Sequence, residues 1–121
     1  MEVLLDSNFI ISCIKRKIDF LSQLKILGFR VILPREVLQE LKDLRLSSRH
    51  EERVAIDLAF QLIEKKEVKK MKLGNKTVDL GLIDKGKEGA YIATLDNNIK
   101  RIVQNKVIIN NASNRIEIER S

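Results

Sequence analysis

The sequence predicts an α/β fold, a three-layer α/β/α sandwich with a five-stranded, mainly parallel sheet. Short apolar runs bounded by polar residues alternate with longer segments in which apolar residues recur at helical spacing. The apolar runs are continuous rather than alternating, which is typical of strands buried on both faces. Strands that alternate with helices are joined by right-handed crossovers, which place helices on both faces of the sheet.

Size and composition predict a single domain spanning residues 1–121. Hydrophobic residues make up 44% of the chain, enough for one core, and no apolar run is long enough to span a membrane. The first residues lack the pattern of a signal peptide, and Cys13 is the only cysteine, so no internal disulfide can form. We therefore expect a cytoplasmic protein with no membrane partner.

The net charge of +6 favours a polyanionic partner, with nucleic acid first, although solubility alone also explains it. Aromatic residues are only 4% of the chain, so a broad stacking platform for single strands is not expected.

The first half of the chain predicts two strands and the helices that follow them. Residues 3–5 form the first strand and 30–33 the second, with a helix over 7–14 and a helical stretch ending at Gly28 between them. Pro34 fits the first turn of the next helix, and an amphipathic helix follows. The apolar residues expected to face inward on these two helices are Val37, Leu38, Leu41 and Leu44, then Val54, Ala55, Leu58, Ala59, Leu62 and Ile63.

The second half predicts three further strands. A lysine-rich segment forms the third strand, expected at a sheet edge, and a turn follows at Gly74–Asn75. Thr77 caps the next helix, and residues 91–94 form the fourth strand. Asp96 or Asn97 then opens a helix with three inward residues, Ile99, Ile102 and Val103. Residues 107–109 form the fifth strand, and alternation over 115–119 suggests an additional short edge strand.

Four acids lie near the ends of predicted elements and are expected to converge if the first and fourth strands are neighbours. They are Asp6, Glu40, Asp79 and Asp96. Carboxylates brought together repel one another, and a hard divalent ion such as Mg²⁺ or Mn²⁺ relieves that repulsion. The only histidine, His50, is expected to be exposed, so a zinc site is not predicted. Glu36, one turn before Glu40, is its rival for the acidic role.

Four motifs around these acids resemble the PIN-domain family of metal-dependent nucleases. In family order they are Asp6-Ser7-Asn8, the helix Pro34–Leu41 with Glu40, the segment Val78–Leu82 with Asp79, and Ala93-Thr94-Leu95-Asp96. The resemblance covers essentially the whole chain. The stretches PREVLQELKDL and KEGAYIATLDNNIKR, with the basic helix between them, most resemble small archaeal PIN proteins related to rRNA-processing PIN nucleases. VapC-type toxins share the acids and come second.

This resemblance implies an endoribonuclease that cleaves single-stranded or looped RNA with a metal-activated water, in rRNA processing. Asp6 and Asp96 would ligate Mg²⁺ or Mn²⁺ directly, and Glu40 and Asp79 would complete the shell, partly through water. The alternatives are a VapC-type toxin ribonuclease and a degenerate PIN domain that binds RNA or a protein without cutting. Asn98 stands where the family often has a second acid, which implies a weaker site or one ion instead of two.

Other polar residues have supporting roles at the predicted cleft. Short side chains near the acids would bind metal waters or phosphate, or else cap helices: Ser7, Asn8, Thr94 and Asn98. Cations expected to flank the cleft and contact RNA are Lys85, Lys87, Lys100 and Arg101, although a solvated helix face explains them nearly as well. A second lysine group, Lys65, Lys66, Lys69, Lys70 and Lys72, forms either an RNA track or, as we prefer, protection of an edge strand. Besides RNA, with rRNA favoured, the candidate partners are a second copy of the chain, an antitoxin and a ribosome-assembly protein.

Overall fold

The structure, a computed structural model, describes residues 1–74 and 77–120. Its elements in chain order are β1 (Glu2–Leu5), α1 (Ser7–Lys15), α2 (Phe20–Ile26), β2 (Arg30–Pro34), α3 (Arg35–Ser47), α4 (His50–Lys65), β3 (Lys69–Met71), α5 (Val78–Lys87), β4 (Tyr91–Ala93), α6 (Asn97–Ile102), β5 (Asn105–Asn110) and β6 (Arg115–Arg120). None of the described helices is long and apolar enough to cross a membrane. The predicted turn at Gly74–Asn75 lies partly outside the described residues.

The described strands form one sheet in the order β3-β2-β1-β4-β5-β6, and all neighbours are parallel except β5 and β6. The central position of β1 beside β4 confirms the condition on which convergence of the acids depended. The edge position predicted for the third strand is also confirmed.

The predicted count of five strands is wrong, because residues 115–120 form a sixth strand paired along its whole length with β5, where the alternation over 115–119 suggested an additional edge strand. The turn between them explains the pairing. Asn110 Oδ1 accepts hydrogen bonds from the backbone N–H groups of Ala112 and Ser113, and Asn114 adopts a φ of 55°. Such local side-chain bonds and a left-handed Asn return the chain as a hairpin.

Alternate residues of β1 point into two separate hydrophobic clusters, one on each face of the sheet. Val3 and Leu5 belong to the cluster formed with α1, α2, α3 and α4, whereas Leu4 belongs to the cluster that includes Leu82 on α5 and Ile99 on α6. A strand that is buried on both faces has no solvent-facing side for polar residues, which explains its continuous apolar run. The predicted three-layer arrangement is confirmed.

The inward faces of three helices were predicted less accurately. Leu44, Val54, Leu58 and Ile102 are 38% to 53% exposed, although each was expected to face inward. On α4 the buried stripe is Ala55, Ile56, Ala59 and Ile63, which is rotated from the predicted stripe. These helices carry more apolar residues than their contact faces hold, so periodicity alone did not fix which ones are buried.

Candidate active site

Asp6 lies at the carboxyl end of the central strand, and the residue is 4% exposed. Its backbone N–H donates to the carbonyl oxygen of Ala93 at 2.9 Å, which joins the end of β1 to the end of β4. Asp6 is also the N-cap of α1, since its Oδ1 accepts from the backbone N–H of Ser7 at 2.9 Å. Strand pairing and helix capping therefore fix the carboxylate at the carboxyl ends of the parallel strands, where sites in α/β folds form. We call this end of the sheet the acidic edge.

Thr94 links Asp6 to the start of α6. Its fully buried hydroxyl donates to Asp6 Oδ2 at 2.7 Å and accepts from the backbone N–H of Asp96 at 3.1 Å. A second link runs from Asn8, whose Oδ1 accepts from the backbone N–H of Leu95 at 3.1 Å. The segments that follow β1 and β4 are thus held together by side-chain hydrogen bonds as well as by the sheet.

We expect Thr94→Val to lower the free energy of unfolding by about 2 kcal/mol, because the partly buried N–H of Asp96 and the buried carboxylate oxygen of Asp6 each lose a partner. Thr94→Ser is the matched control, since it keeps the hydroxyl and removes one methyl group, at a cost of about 1 kcal/mol. Urea unfolding of the three proteins measures the difference. A valine variant as stable as the serine variant would contradict the structural role given to this hydroxyl.

Glu40 is brought to the same edge by Ser7. The Ser7 hydroxyl donates to Glu40 Oε1 at 2.6 Å, across a separation of 33 positions in the chain. Ser7 is buried and Glu40 half-buried, so the contact is shielded from water on the side of the core. The serine predicted as a supporting residue therefore lies between two of the predicted acids.

Asp96 and Asp79 each lie in or beside the first turn of a helix. Asp96 is the N-cap of α6, and its Oδ1 accepts from the backbone N–H groups of Asn98 at 2.8 Å and Ile99 at 3.3 Å. Asp79 is exposed in the first turn of α5, which Thr77 caps as predicted. The side chain of Asn98 is held by Arg101, whose guanidinium donates to Asn98 Oδ1.

Three of the acids, Asp6, Glu40 and Asp79, lie close enough for their charges to interact. Burial raises the pKa of Asp6 to about 6, even though the Thr94 and Ser7 hydrogen bonds act to lower it, and the charges of Glu40 and Asp79 raise it further. No ion pair among the described residues involves any of the four acids. Among the described residues, the negative charge of these acids therefore has no cationic side chain within ion-pair distance.

A family model described as a PIN-like domain matches residues 3–111, a span that contains all four acids. The chain belongs to the PIN-like domain family. PIN domains are generally metal-dependent nucleases. No curated protein matches the chain. The match runs from β1 through β5 and ends before β6, the strand that the sequence-based prediction did not count.

Within the described part of the PIN-like domain, no three acidic, histidine or cysteine side chains lie close enough together to form a preassembled metal cluster. The four acids supply only oxygen ligands, and their mutual repulsion suits a hard cation. Mg²⁺ usually retains several waters and takes one or two carboxylates directly, so a loose arrangement of carboxylates fits it better than a closed cage would.

Glu36, the rival of Glu40, has a different role. Both of its carboxylate oxygens lie 3.0 Å from the backbone nitrogen of Leu73, and Oε2 also accepts from the backbone N–H of Gly74 at 3.0 Å. Burial acts to raise the pKa of Glu36, but these backbone hydrogen bonds and the charge of Lys72 lower it overall. The carboxylate fixes the segment that leads to α5 and Asp79, a long-range contact that no local sequence pattern indicates.

The predicted RNA-contacting cations lie on two different helices of the PIN-like domain. Lys100 and Arg101 lie in the last turn of α6, one turn after Asp96. Lys85 instead pairs with Glu88 at 3.4 Å and lines a depression with Glu2 and Ala90, at the amino ends of the strands.

The prediction that Lys85 and Lys87 flank the acids is therefore wrong. The reason is the direction of α5, which runs antiparallel to the strands. Its first turn, with Asp79, lies at the carboxyl edge, and its last turn, with both lysines, lies at the opposite edge.

A cavity of about 340 Å³ opens directly beside the acidic edge. Its lining includes Ser7 and Asn8 from the site, and Ile11 and Leu44 contribute apolar surface. The exposure of Leu44, unexpected from the helical pattern, thus lies next to the candidate site. Sequence periodicity assigned Leu44 to the core and so missed it as a lining residue.

Proposed function

We propose that this PIN-like domain is a metal-dependent endoribonuclease that cleaves single-stranded or looped RNA, with rRNA processing as its favoured role. One observation carries the proposal. Asp6 is buried at the carboxyl end of the central strand, within the field of Glu40 and Asp79 and next to the backbone of Asp96, and none of these acids has an ion-pair partner among the described residues. Uncompensated negative charge of this kind is the environment that a divalent cation stabilises.

Asp6 and Asp96 would hold Mg²⁺ or Mn²⁺ directly, with Glu40 and Asp79 acting partly through water. When bound, the metal would lower the pKa of a water molecule and offset the charge that develops on the scissile phosphate. Ser7 orients Glu40 toward Asp6, and Thr94 sets the position of Asp6 relative to the Asp96 backbone. Because the hydrogen bonds of these groups are already formed, little reorganisation is required during the reaction.

The surroundings of the acids support unpaired RNA as the substrate. The cavity beside Ser7 and Asn8 offers apolar surface from Ile11 and Leu44, against which an unstacked base can lie. Lys100 and Arg101, one turn from Asp96, supply positive charge for the phosphates that follow. Bases in loops and single strands can be splayed into such a cavity, whereas bases in a duplex cannot.

Cleavage of labelled RNA with structured loops tests the proposal, in Mg²⁺, in Mn²⁺ and in EDTA. We expect metal-dependent cleavage by the wild type and a loss of about 100-fold or more in Asp96→Asn, a barrier increase of about 3 kcal/mol. Asparagine is as good an N-cap as aspartate, so this variant removes the charge and keeps the helix start.

Asp43→Asn is the matched control, since Asp43 is an exposed aspartate on the same helix as Glu40 and bonds only to Gln39 among the described contacts. Its cleavage rate is expected to equal that of the wild type. Cleavage that survives in Asp96→Asn, or that proceeds equally in EDTA, contradicts the proposed site.

The second candidate is an RNA-binding module without catalysis. It is favoured by the absence of a preassembled cluster of metal-binding side chains among the described residues and by Asn98, which is engaged with Arg101. RNA binding without metal-dependent cleavage in the same experiment selects this candidate.

A further inference from the structure

A second concave site lies at the end of the sheet opposite the acids. It is a depression of about 400 Å³, and its floor is formed by the apolar side chains of Leu21, Phe29, Val31 and Val68. Four cations line it, namely Lys25, Arg30, Lys66 and Lys69, and Glu67 is the one acidic residue in the lining. We call it the cationic depression.

The four cations come from four different elements. Lys25 lies in the last turn of α2, Arg30 begins β2, Lys66 is the C-cap of α4, and Lys69 begins β3. Arg30 lies 3.9 Å from the carboxylate of Glu2, and no ion pair among the described residues involves the three lysines. Three of the four cations therefore have no carboxylate within ion-pair distance among the described residues.

Protection of the sheet edge and the helix dipoles can each explain the position of a single lysine, but not the convergence of all four cations. A lysine on β3 discourages pairing with another chain, and a lysine at a helix C-terminus offsets the helix dipole. Neither effect requires cations from α2 and β2 to meet those from α4 and β3 around one hollow with an apolar floor. Their convergence is the pattern expected of a site that receives an anion.

We propose that the cationic depression binds the phosphate backbone of single-stranded RNA, as a second contact for the RNA that the acids would cut. This inference rests on the proposed function for its substrate. The depression lies at the amino ends of β2 and β3, and β2 has five residues, so it is roughly 15 Å from the acidic edge. A flexible RNA strand can span that distance along the surface and contact both places, which would make the depression an anchor for the substrate.

Two lysine pairs that are neighbours in the sequence provide a matched test. Lys66→Gln/Lys69→Gln removes two charges from the depression, and Lys65→Gln/Lys70→Gln removes two charges from exposed lysines immediately beside them that do not line it. Binding of a fluorescein-labelled, uridine-rich 20-nucleotide RNA to the full chain is measured by anisotropy across a salt series. EDTA is present throughout, so that neither metal nor cleavage contributes.

We expect Lys66→Gln/Lys69→Gln to bind the RNA about tenfold more weakly than the wild type. The slope of log affinity against log salt should fall by about 1.4, since each lost phosphate contact in a single strand removes about 0.7. Lys65→Gln/Lys70→Gln should bind within about twofold of the wild type, because general attraction to a basic surface is all that it loses. Circular dichroism of both variants checks that the fold is retained.

Equal weakening in the two variants, or no weakening in either, overturns the proposal. Poly-glutamate that binds the wild type more tightly than the RNA does, with loss only in Lys66→Gln/Lys69→Gln, overturns it in favour of an acidic protein segment. Because binding is measured without metal, the result is independent of nuclease activity. A domain that binds RNA through the depression but never cleaves it would support this inference while refuting the proposed function.

Discussion

Asp6→Asn is expected to stabilise the metal-free domain at pH 7.5 by up to roughly 3 kcal/mol. Burial raises the folded-state pKa of Asp6 to about 6 from an ordinary value of 3.8, and each pKa unit corresponds to about 1.4 kcal/mol. Asparagine removes the buried charge and still accepts the N–H of Ser7. The Thr94 hydroxyl can then accept from the new amide and donate to Asn8 Oδ1, which lies 3.5 Å from it.

The direction of the pKa shift fixes how the stability difference between the wild type and Asp6→Asn changes with pH. A carboxyl group with a raised folded-state pKa binds its proton more tightly in the folded protein than in the unfolded chain. The wild type should therefore lose stability relative to Asp6→Asn as the pH rises from about 4 to 6, and the difference should remain constant above pH 6. Below pH 4 the two proteins should be equally stable.

Urea unfolding between pH 4 and pH 8 in EDTA measures this difference, with Asp43→Asn as a control that should show no such trend. If Asp6→Asn is less stable than the wild type at pH 7.5, Asp6 is not a strained buried charge, and the electrostatic basis of the proposed site is lost.

The second large effect, a decrease in the free energy of unfolding, is expected from Gly86→Ala on α5. An added Cβ would lie 2.6 Å from Cγ1 of Val103 and 3.4 Å from Cγ1 of Ile92, both buried side chains. Alanine alone would favour a helix by about 1 kcal/mol, so a net loss of about 2 kcal/mol or more requires overpacking. The loss is measured as a change in the free energy of unfolding.

A compensating variant separates overpacking from other causes. Gly86→Ala/Val103→Ala removes the methyl groups that the new Cβ would meet, and we expect it to be more stable than the sum of the single effects by at least ~1 kcal/mol. Lys87→Ala, at the neighbouring exposed position, should change stability by less than about 0.5 kcal/mol. Strict additivity of the two single variants would show that the close approach of α5 to Val103 does not control packing here.

Much of the architecture was predictable because it follows from residues that are close together in the sequence. The runs before Asp6 and Asp96 are continuous because both faces of β1 and β4 are covered, and a parallel sheet then requires both acids to lie at one edge. Thr77 and Asp96 were predictable as caps for the same reason, since capping depends on residues within one turn.

The remaining features depend on contacts between distant segments. The contact of Glu36 with the backbone of Leu73 and Gly74 joins positions 37 and 38 residues apart, so the pattern around Glu36 could not separate it from Glu40. Lys85 was expected beside the acids, whereas the direction of α5 carries it to the other end of the sheet. The alternation over 115–119 indicated the sixth strand, but its pairing with β5 depends on the turn that begins at Asn110.

The hydrogen bond between Thr94 and Asp6 joins residues 88 positions apart, and β1 pairs with β4 across the same separation. Closing so long a loop is entropically costly, and folding is slow when the decisive contacts are distant in sequence. The acidic edge therefore forms only after the chain has been synthesised beyond β4 and β1 has paired on both sides. During refolding, β1 can pair with β2 before this step, but the ends of β1 and β4 meet only when these two strands pair, so any cleavage activity should not recover before that pairing has formed.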